Sequence, residues 1–225
     1  MANRLRPILS KGLAEEKLGF LQGRQILDVV GTAQECLHSI KNKNKKVLIL
    51  KLDLKKVYDL INWDFLRMIL IKNGFGLSVT NWIMSCVTIV SYAVLVNGEP
   101  YDTFHSSKGL RKGHPTSPLL FILVTEGVSI FLKKEKETRK LSGIKVARIT
   151  NILHLLFVDD VLIFSRSSVE EWKVIAGLMK TLNAFGLEIN VEKSTFHVVG
   201  CDESGMAPFK EIFPYSFVSI DVGFK

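Results

Sequence analysis

The sequence predicts an α+β fold, an antiparallel sheet with helices packed on one face and the other face open to a long ligand. Three observations carry that expectation. Apolar runs of strand length interleave with longer stretches of helical periodicity. Neighbouring strands are joined by short turn signals such as NGEP at 97–100. The 225 residues are 47% hydrophobic, enough to fill one large core. Proline and glycine are scattered as punctuation, and no repeat or low-complexity linker divides the chain, so one continuous domain is expected.

Taken in order, a helix is expected over 24–41, closed by the basic run KNKNKK, and then the apolar strand VLILKLDL over 47–54. Asn62 opens a helix, because NWD offers a cap and an acidic first turn. A helix over 78–91 leads to a strand at 92–96, the NGEP turn and a second strand through Phe104. The stretch 74–98 carries no charge and is as long as a membrane-spanning helix. Its recurrent Ser, Thr and Asn residues and the alternation in SYAVLVNG favour a core helix feeding a hairpin, and no membrane partner is expected.

KGLRKGHPTSP is a loop by its Gly and Pro content, after which Ser117 caps a helix with Pro118 at its first position. That helix, PLLFILVTEGVSIFL, is apolar on most faces and runs into KKEKETRK, a solvated helix end. Residues 152–164 form two short strands joined at Val158, Asp159 and Asp160. Ser168 and Glu171 make a capping box for a helix through Phe185, which Gly186 ends. LEINVEKSTFHVVG supplies a last strand or pair.

A formal net charge of +8 points to an acidic partner, nucleic acid first and a membrane surface second. Cys36, Cys86 and Cys201 are odd in number and lack metal-ligand spacing, which suits a reducing, intracellular setting, nucleus or cytoplasm. MANRLRPILSKG has no apolar core of signal-peptide length. His38, His105, His114, His154 and His197 show no zinc-ligand spacing.

The acidic residues carry the chemistry. In LLFVDDVLIF, Asp159 and Asp160 interrupt a run that otherwise reads as buried strand, and Asp53 ends VLILKLDL in the same way. Adjacent carboxylates repel and lose hydration in such surroundings, so something must compensate them. Taken separately, a hairpin turn accounts for the doublet and a strand-end cap for Asp53. Brought together at one sheet end, the three describe an oxygen site for Mg²⁺. Two such ions, about 3.5–4 Å apart, activate an attacking hydroxyl and stabilise a leaving phosphate, which is phosphoryl or nucleotidyl transfer.

In this order and at these distances, KLDLKKVYDLINWDFL, GLRKGHPTSPLLFILVTEGVS, FVDDVLIFSRSS and FGLEINVEKS resemble the palm motifs of reverse transcriptases from non-LTR (LINE-type) retrotransposons, especially plant ones. The similarity extends upstream to ANRLRPIL and GFLQGRQILD and covers most of residues 2–200. It implies a polymerase palm-like sheet with partial fingers over 1–46, the palm over 47–200 and a degenerate C-terminal tail over 201–225.

The resemblance further implies that Asp53, Asp159 and Asp160 hold two Mg²⁺ ions, or Mn²⁺ in their place, with the Leu54 carbonyl as an extra ligand. Tyr58 takes the place of the aromatic residue under the incoming sugar that rejects a 2′-hydroxyl. Lys112, Gly113, Pro115, Ser117 and Pro118 belong to the loop beneath template and nucleotide, and Lys193 matches the lysine that protonates the leaving pyrophosphate. The implied partners are an RNA template, a DNA primer and dNTPs, in a cycle that ends in DNA integration. Trp63 and Phe65 are expected as helix-to-core contacts, and Arg24 as a phosphate contact or an ordinary surface arginine.

This chain departs from the family pattern at Lys112, His114 and Thr116, where relatives have Gln, Asp and Leu, and at Phe217, Val218, Ser219 and Asp221 in the segment that grips the primer. It also reads as truncated, beginning after a basic finger segment and ending before a thumb. Two functions follow: an RNA-directed DNA polymerase, or a catalytically inactive retrotransposon remnant retaining at most non-specific nucleic-acid binding. A receiver-like phosphoacceptor domain, with Asp159 or Asp160 as acceptor, needs an acidic pair early in the chain and a lysine after a late strand, and those elements are misplaced here.

Overall fold

The computed structural model describes residues 2–12, 26–43, 46–146, 151–157, 159–166, 168–200 and 203–219. In chain order the elements are α1 (Ala2–Gly12), α2 (Ile26–Asn42), β1 (Val47–Asp53), α3 (Val57–Leu60), α4 (Trp63–Lys72), α5 (Leu77–Thr88), β2 (Ser91–Val96), β3 (Glu99–His105) and α6 (Ser117–Glu137). They continue with β4 (Ile144–Lys145), β5 (Asn151–Ile152), β6 (His154–Phe157), β7 (Asp160–Arg166), α7 (Val169–Ala184), β8 (Thr195–Val199), α8 (Glu203–Ile212) and β9 (Ser216–Ser219).

The main sheet has the order β6-β7-β1-β8-β9. β1 lies at its centre, antiparallel to β7 and β8, and only β9 joins in parallel, beside β8. Alternation along β1 explains the packing. Leu48, Leu50 and Leu52 point into the larger core, where Leu66 and Ile69 of α4, Leu120 and Leu123 of α6 and Ile175 of α7 meet them. The expected layering of helices against one face of an antiparallel sheet is therefore present.

The opposite face is divided. Val47, Ile49 and Phe164 are covered there by Cys36 and Ile40 of α2, so the first half of β1 is buried on both sides and reads as an unbroken apolar run. Lys51 and Asp53, further along the same face, are only partly buried. The open surface is the half of the sheet that carries the acids.

Several local expectations hold and others need correction. The Asn62 side chain caps α4, accepting from the N–H groups of Asp64 and Phe65 at 2.7 and 3.2 Å. Gly186 ends α7 with φ +83°, and a Cβ there would stand 1.9 Å from the Leu60 carbonyl oxygen. The β2–β3 turn has φ 54° at Asn97 and 90° at Gly98, both positive as a two-residue type I′ hairpin requires. Ser117, however, does not cap α6. Thr116 holds the cap position without a side-chain bond, while the Ser117 hydroxyl donates to the Arg111 carbonyl at 2.6 Å and ties the preceding loop down.

The capping box on α7 is half formed. Ser168 accepts from the Glu171 N–H at 3.5 Å, but the Glu171 carboxylate turns inward to accept from the hydroxyls of Ser142 and Ser165. Ser165 is fully buried in β7, and a buried hydroxyl without a partner costs more than an exposed cap contributes. Within the stretch expected as a tail, α8 and β9 dock on the sheet edge, where Phe213 and Phe217 lie 4.9 and 5.0 Å from Phe196, centroid to centroid.

Candidate functional site

Register builds the site. Asp53 and Asp160 are direct cross-strand partners at one end of β1 and β7, so their side chains leave the same face of the sheet. Asp159 stands in the connection just before, and its carbonyl accepts from the Leu54 N–H at 3.2 Å. Two like charges directly opposite each other destabilise a ladder unless a cation intervenes. Part of that role falls to Lys51, whose Nζ lies 3.4 Å from Asp160 Oδ1.

The backbone of Asp53 is held from the other side. Its N–H donates to the Ser194 hydroxyl at 3.1 Å, and its carbonyl accepts from the Asn190 N–H at 2.8 Å. Lys193 sits exposed in the turn between those two residues. The residue that positions Asp53 and the lysine expected to serve the leaving group thus share one turn.

Beyond the strand, Lys56 adopts φ 46° and opens the single turn of α3. That turn presents Tyr58, whose ring lies 5.3 Å from Phe121. Burial, and then the negative charge of Asp159, hold the Tyr58 phenol above its ordinary value of 10.0. Leu54, Tyr58, Asp59, Lys112, Phe121 and Asp159 line one cavity of about 220 Å³.

The loop of Lys112 is pinned to α3. The Leu110 N–H donates to the Tyr58 carbonyl at 2.5 Å, the Gly109 N–H to Ile61 at 2.8 Å, and Lys112 Nζ lies 2.9 Å from Asp59 Oδ2. Gly109 has φ +88°, and a Cβ on it would meet the Asp59 and Tyr58 carbonyl oxygens at 2.8 Å, so the close approach needs glycine. Gly113, φ +79°, and Pro115 are exposed at the loop tip.

Of the residues expected from the sequence, Asp53 and Asp160 meet across the ladder, while Leu54, Tyr58, Lys112 and Asp159 share a cavity. The three carboxylates are not gathered around one point. Among the described residues no three His, Cys, Asp or Glu side chains form a group that could hold an ion. Asp160 leans to Lys51, and Asp159 lies by Tyr58. The donor set is nonetheless all oxygen and partly open to solvent, which suits a hard divalent cation.

Phe65 is buried and stacks on Phe185 at 4.4 Å, and the Trp63 indole N–H donates to the Gly109 carbonyl at 2.8 Å, so both are structural contacts. Arg24 lies outside the described residues. Sequence reasoning missed Lys51, Asp59 and Ser194. Lys51 was findable, since two positions before Asp53 on a strand means the same face. Ser194 carried no signal, because its bond spans 141 positions.

An antiparallel sheet with an acidic cross-strand pair at one end, backed by helices, defines a polymerase-type palm. The chain belongs to the reverse transcriptase (RNA-dependent DNA polymerase) family, whose model matches residues 1–210. It is 45% identical over 67 residues to an uncharacterized mitochondrial protein of Arabidopsis thaliana, covering 29% of this chain and 55% of that protein. It is 23% identical over 151 residues to the retrovirus-related Pol polyprotein of the type-1 retrotransposable element R2 of Popillia japonica, covering 67% of this chain and 24% of the polyprotein. The resemblance to non-LTR retrotransposon enzymes is thereby borne out, and the chain spans about half and a quarter of those two relatives.

Among solved structures, apo telomerase from Candida tropicalis, truncated from its C-terminal domain, superposes with a TM-score of 0.65 at 15% identity over 90% of this chain and 40% of that one. Telomerase from Candida albicans, solved with a fragment of telomeric RNA, gives 0.64 at 16% identity over 91% and 35%. At such identity the likeness speaks for the fold.

Proposed function

We propose that this chain is the palm of an RNA-directed DNA polymerase, with residues 1–46 as partial fingers, 47–200 as the palm and 201–225 as an appended tail. One observation carries the reading: Asp53 and Asp160, far apart in the chain, are register partners on the open half of the sheet, with Asp159 beside them. Asp53, Asp159 and Asp160 would hold Mg²⁺, or Mn²⁺. When bound, the metal neutralises charge on the attacking and leaving oxygens of a phosphoryl centre.

The remaining steps belong to the chain's own groups. Tyr58, wedged against Phe121, presents a ring edge where a 2′-hydroxyl on an incoming nucleotide would clash, which selects dNTPs. The loop of Lys112, Gly113 and Pro115 supports the nucleotide and the RNA template from below. Lys193 donates a proton to the departing pyrophosphate from the turn that also fixes Asp53. The DNA primer's 3′-hydroxyl is the nucleophile.

A second reading, an inactive remnant that only binds nucleic acid, draws on Lys112, which is engaged with Asp59. Primer extension on poly(rA)/oligo(dT) separates the two. The polymerase reading expects extension by the purified chain and a drop of more than about 100-fold in Asp160→Asn and Asp53→Ala. Equal extension by the wild type and both variants would overturn the site, and salt-dependent RNA binding without any extension would favour the remnant.

A further inference from the structure

At the opposite end of the same two strands lies a second feature that the polymerase reading leaves unused. Val47 and Arg166 are the last register partners of β1 and β7, six steps from Asp53 and Asp160, or roughly 20 Å at strand rise. Alternation places Arg166 on the face of Asp160. Lys46 just before β1, Lys145 from β4 and Arg166 from the end of β7 surround a cavity of about 590 Å³. Its floor is formed by Val47 and Ile144, and Asn151 adds an amide at the rim. None of the described residues lining it is acidic.

Lys46 and Arg166, brought from separate segments, put two cations on one concavity whose described lining carries no acid, which makes it favourable ground for an anion. The main chain stiffens the spot. Lys43 Nζ donates to the Val146 carbonyl at 3.3 Å and the Ser39 hydroxyl to the same oxygen at 2.6 Å, which fastens the C-terminal end of α2 to the β4 hairpin. All three lining cations are exposed, so their charge reaches solvent. The net charge of +8 is therefore partly focused at one place.

We infer that this concavity is a phosphate-backbone site for the nucleic acid on which the palm acts, a second anchor some 20 Å from the carboxylates. At about 3.4 Å per nucleotide of one strand, that spacing corresponds to roughly six nucleotides. The contact is to phosphate and carries no sequence information, as cations without base-edge donors imply. The inference rests on the polymerase reading for its substrate, yet its test needs no catalysis.

The test measures binding of the full chain to a labelled RNA–DNA hybrid of about 24 base pairs across a salt series. Lys46→Gln/Arg166→Gln is compared with a control pair on the far side of the helical layer, Lys72→Gln/Lys180→Gln, which removes the same charge. The cavity pair should weaken binding about tenfold or more near 0.1 M salt and lower the slope of log K against log salt by about 1 to 2, while the control pair changes little. Equal loss from both pairs would overturn the site, since only bulk charge would then matter. Unchanged hybrid binding with lost binding to vesicles containing anionic phosphatidylserine would also overturn it, in favour of a membrane surface. Superimposable far-ultraviolet spectra and melting curves for both pairs keep misfolding out of the comparison. If wild type and cavity pair both fail to extend a primer while their binding differs as expected, the anchor stands and the polymerase reading falls.

Discussion

The two kinds of strand in this molecule are secured in different ways. In β1 only Lys51 and Asp53 are less than buried, and both backbone edges are paired, to β7 and β8. The β2–β3 hairpin is exposed along its whole length, including Leu95, Val96 and Tyr101, and among the described residues pairs with no other strand. The palm strand derives its geometry from burial on two faces, so Asp53 is placed by the whole core. The hairpin holds itself by its turn, its ladder and the Tyr92–Phe104 stack at 5.8 Å, an arrangement only marginally stable alone. Its Tyr92 and Phe104 nevertheless reach a cavity of about 380 Å³ shared with Tyr58 and Lys112. Carboxylates placed by the core and a self-supporting wall beside them are thus separate properties of separate regions.

Breaking the rigid side should have the largest effect. Leu50→Ala, at a fully buried site in the central strand, should cost about 3–5 kcal/mol by denaturant unfolding and take the acidic pair with it. A cost below about 1 kcal/mol would contradict the claim that the core positions Asp53.

A middle-sized effect should appear where the site meets the core. Tyr58 is held above its ordinary 10.0 in the folded chain by burial and Asp159. Below pH 10 the phenol is neutral in both states; above it the unfolded chain loses its proton first, so stability falls as pH rises through the folded value. Tyr58→Phe should flatten that alkaline decline, and Asp159→Asn should bring the phenol's titration, followed by absorbance, back toward the ordinary range. An unaltered titration curve in Asp159→Asn would separate the two side chains.

The smallest effect belongs to the hairpin. Leu95→Ala should change stability by no more than about 0.5 kcal/mol, because its side chain is already 69% exposed in the fold. A larger loss in thermal unfolding would mean that the hairpin is braced by something beyond its own ladder.

Some of this was written locally. The apolar run of β1, the Asn62 cap, the Asn97-Gly98 turn and the break at Gly186 follow from nearest-neighbour chemistry, and each can be read without knowing the fold. Asp53, Asp159 and Asp160 stood out because charge inside an apolar run demands compensation. Other features were invisible for a shared reason. Ser117 turned to Arg111 and Glu171 to Ser165 because burial changed which hydrogen bond was worth most, and burial is not a local property.

The sequence by itself determined where strands, caps and turns fall and which acids need a partner, since those depend on periodicity and on groups a few positions apart. Only the tertiary structure decided that residue 53 faces residue 160, that Ser194 and Lys51 attend them, that α2 closes half of the outer face, and that Lys46 and Arg166 line one cavity. Each of those is a contact across a long chain separation, fixed by register and by the shape of the common core. No short window of residues contains that information.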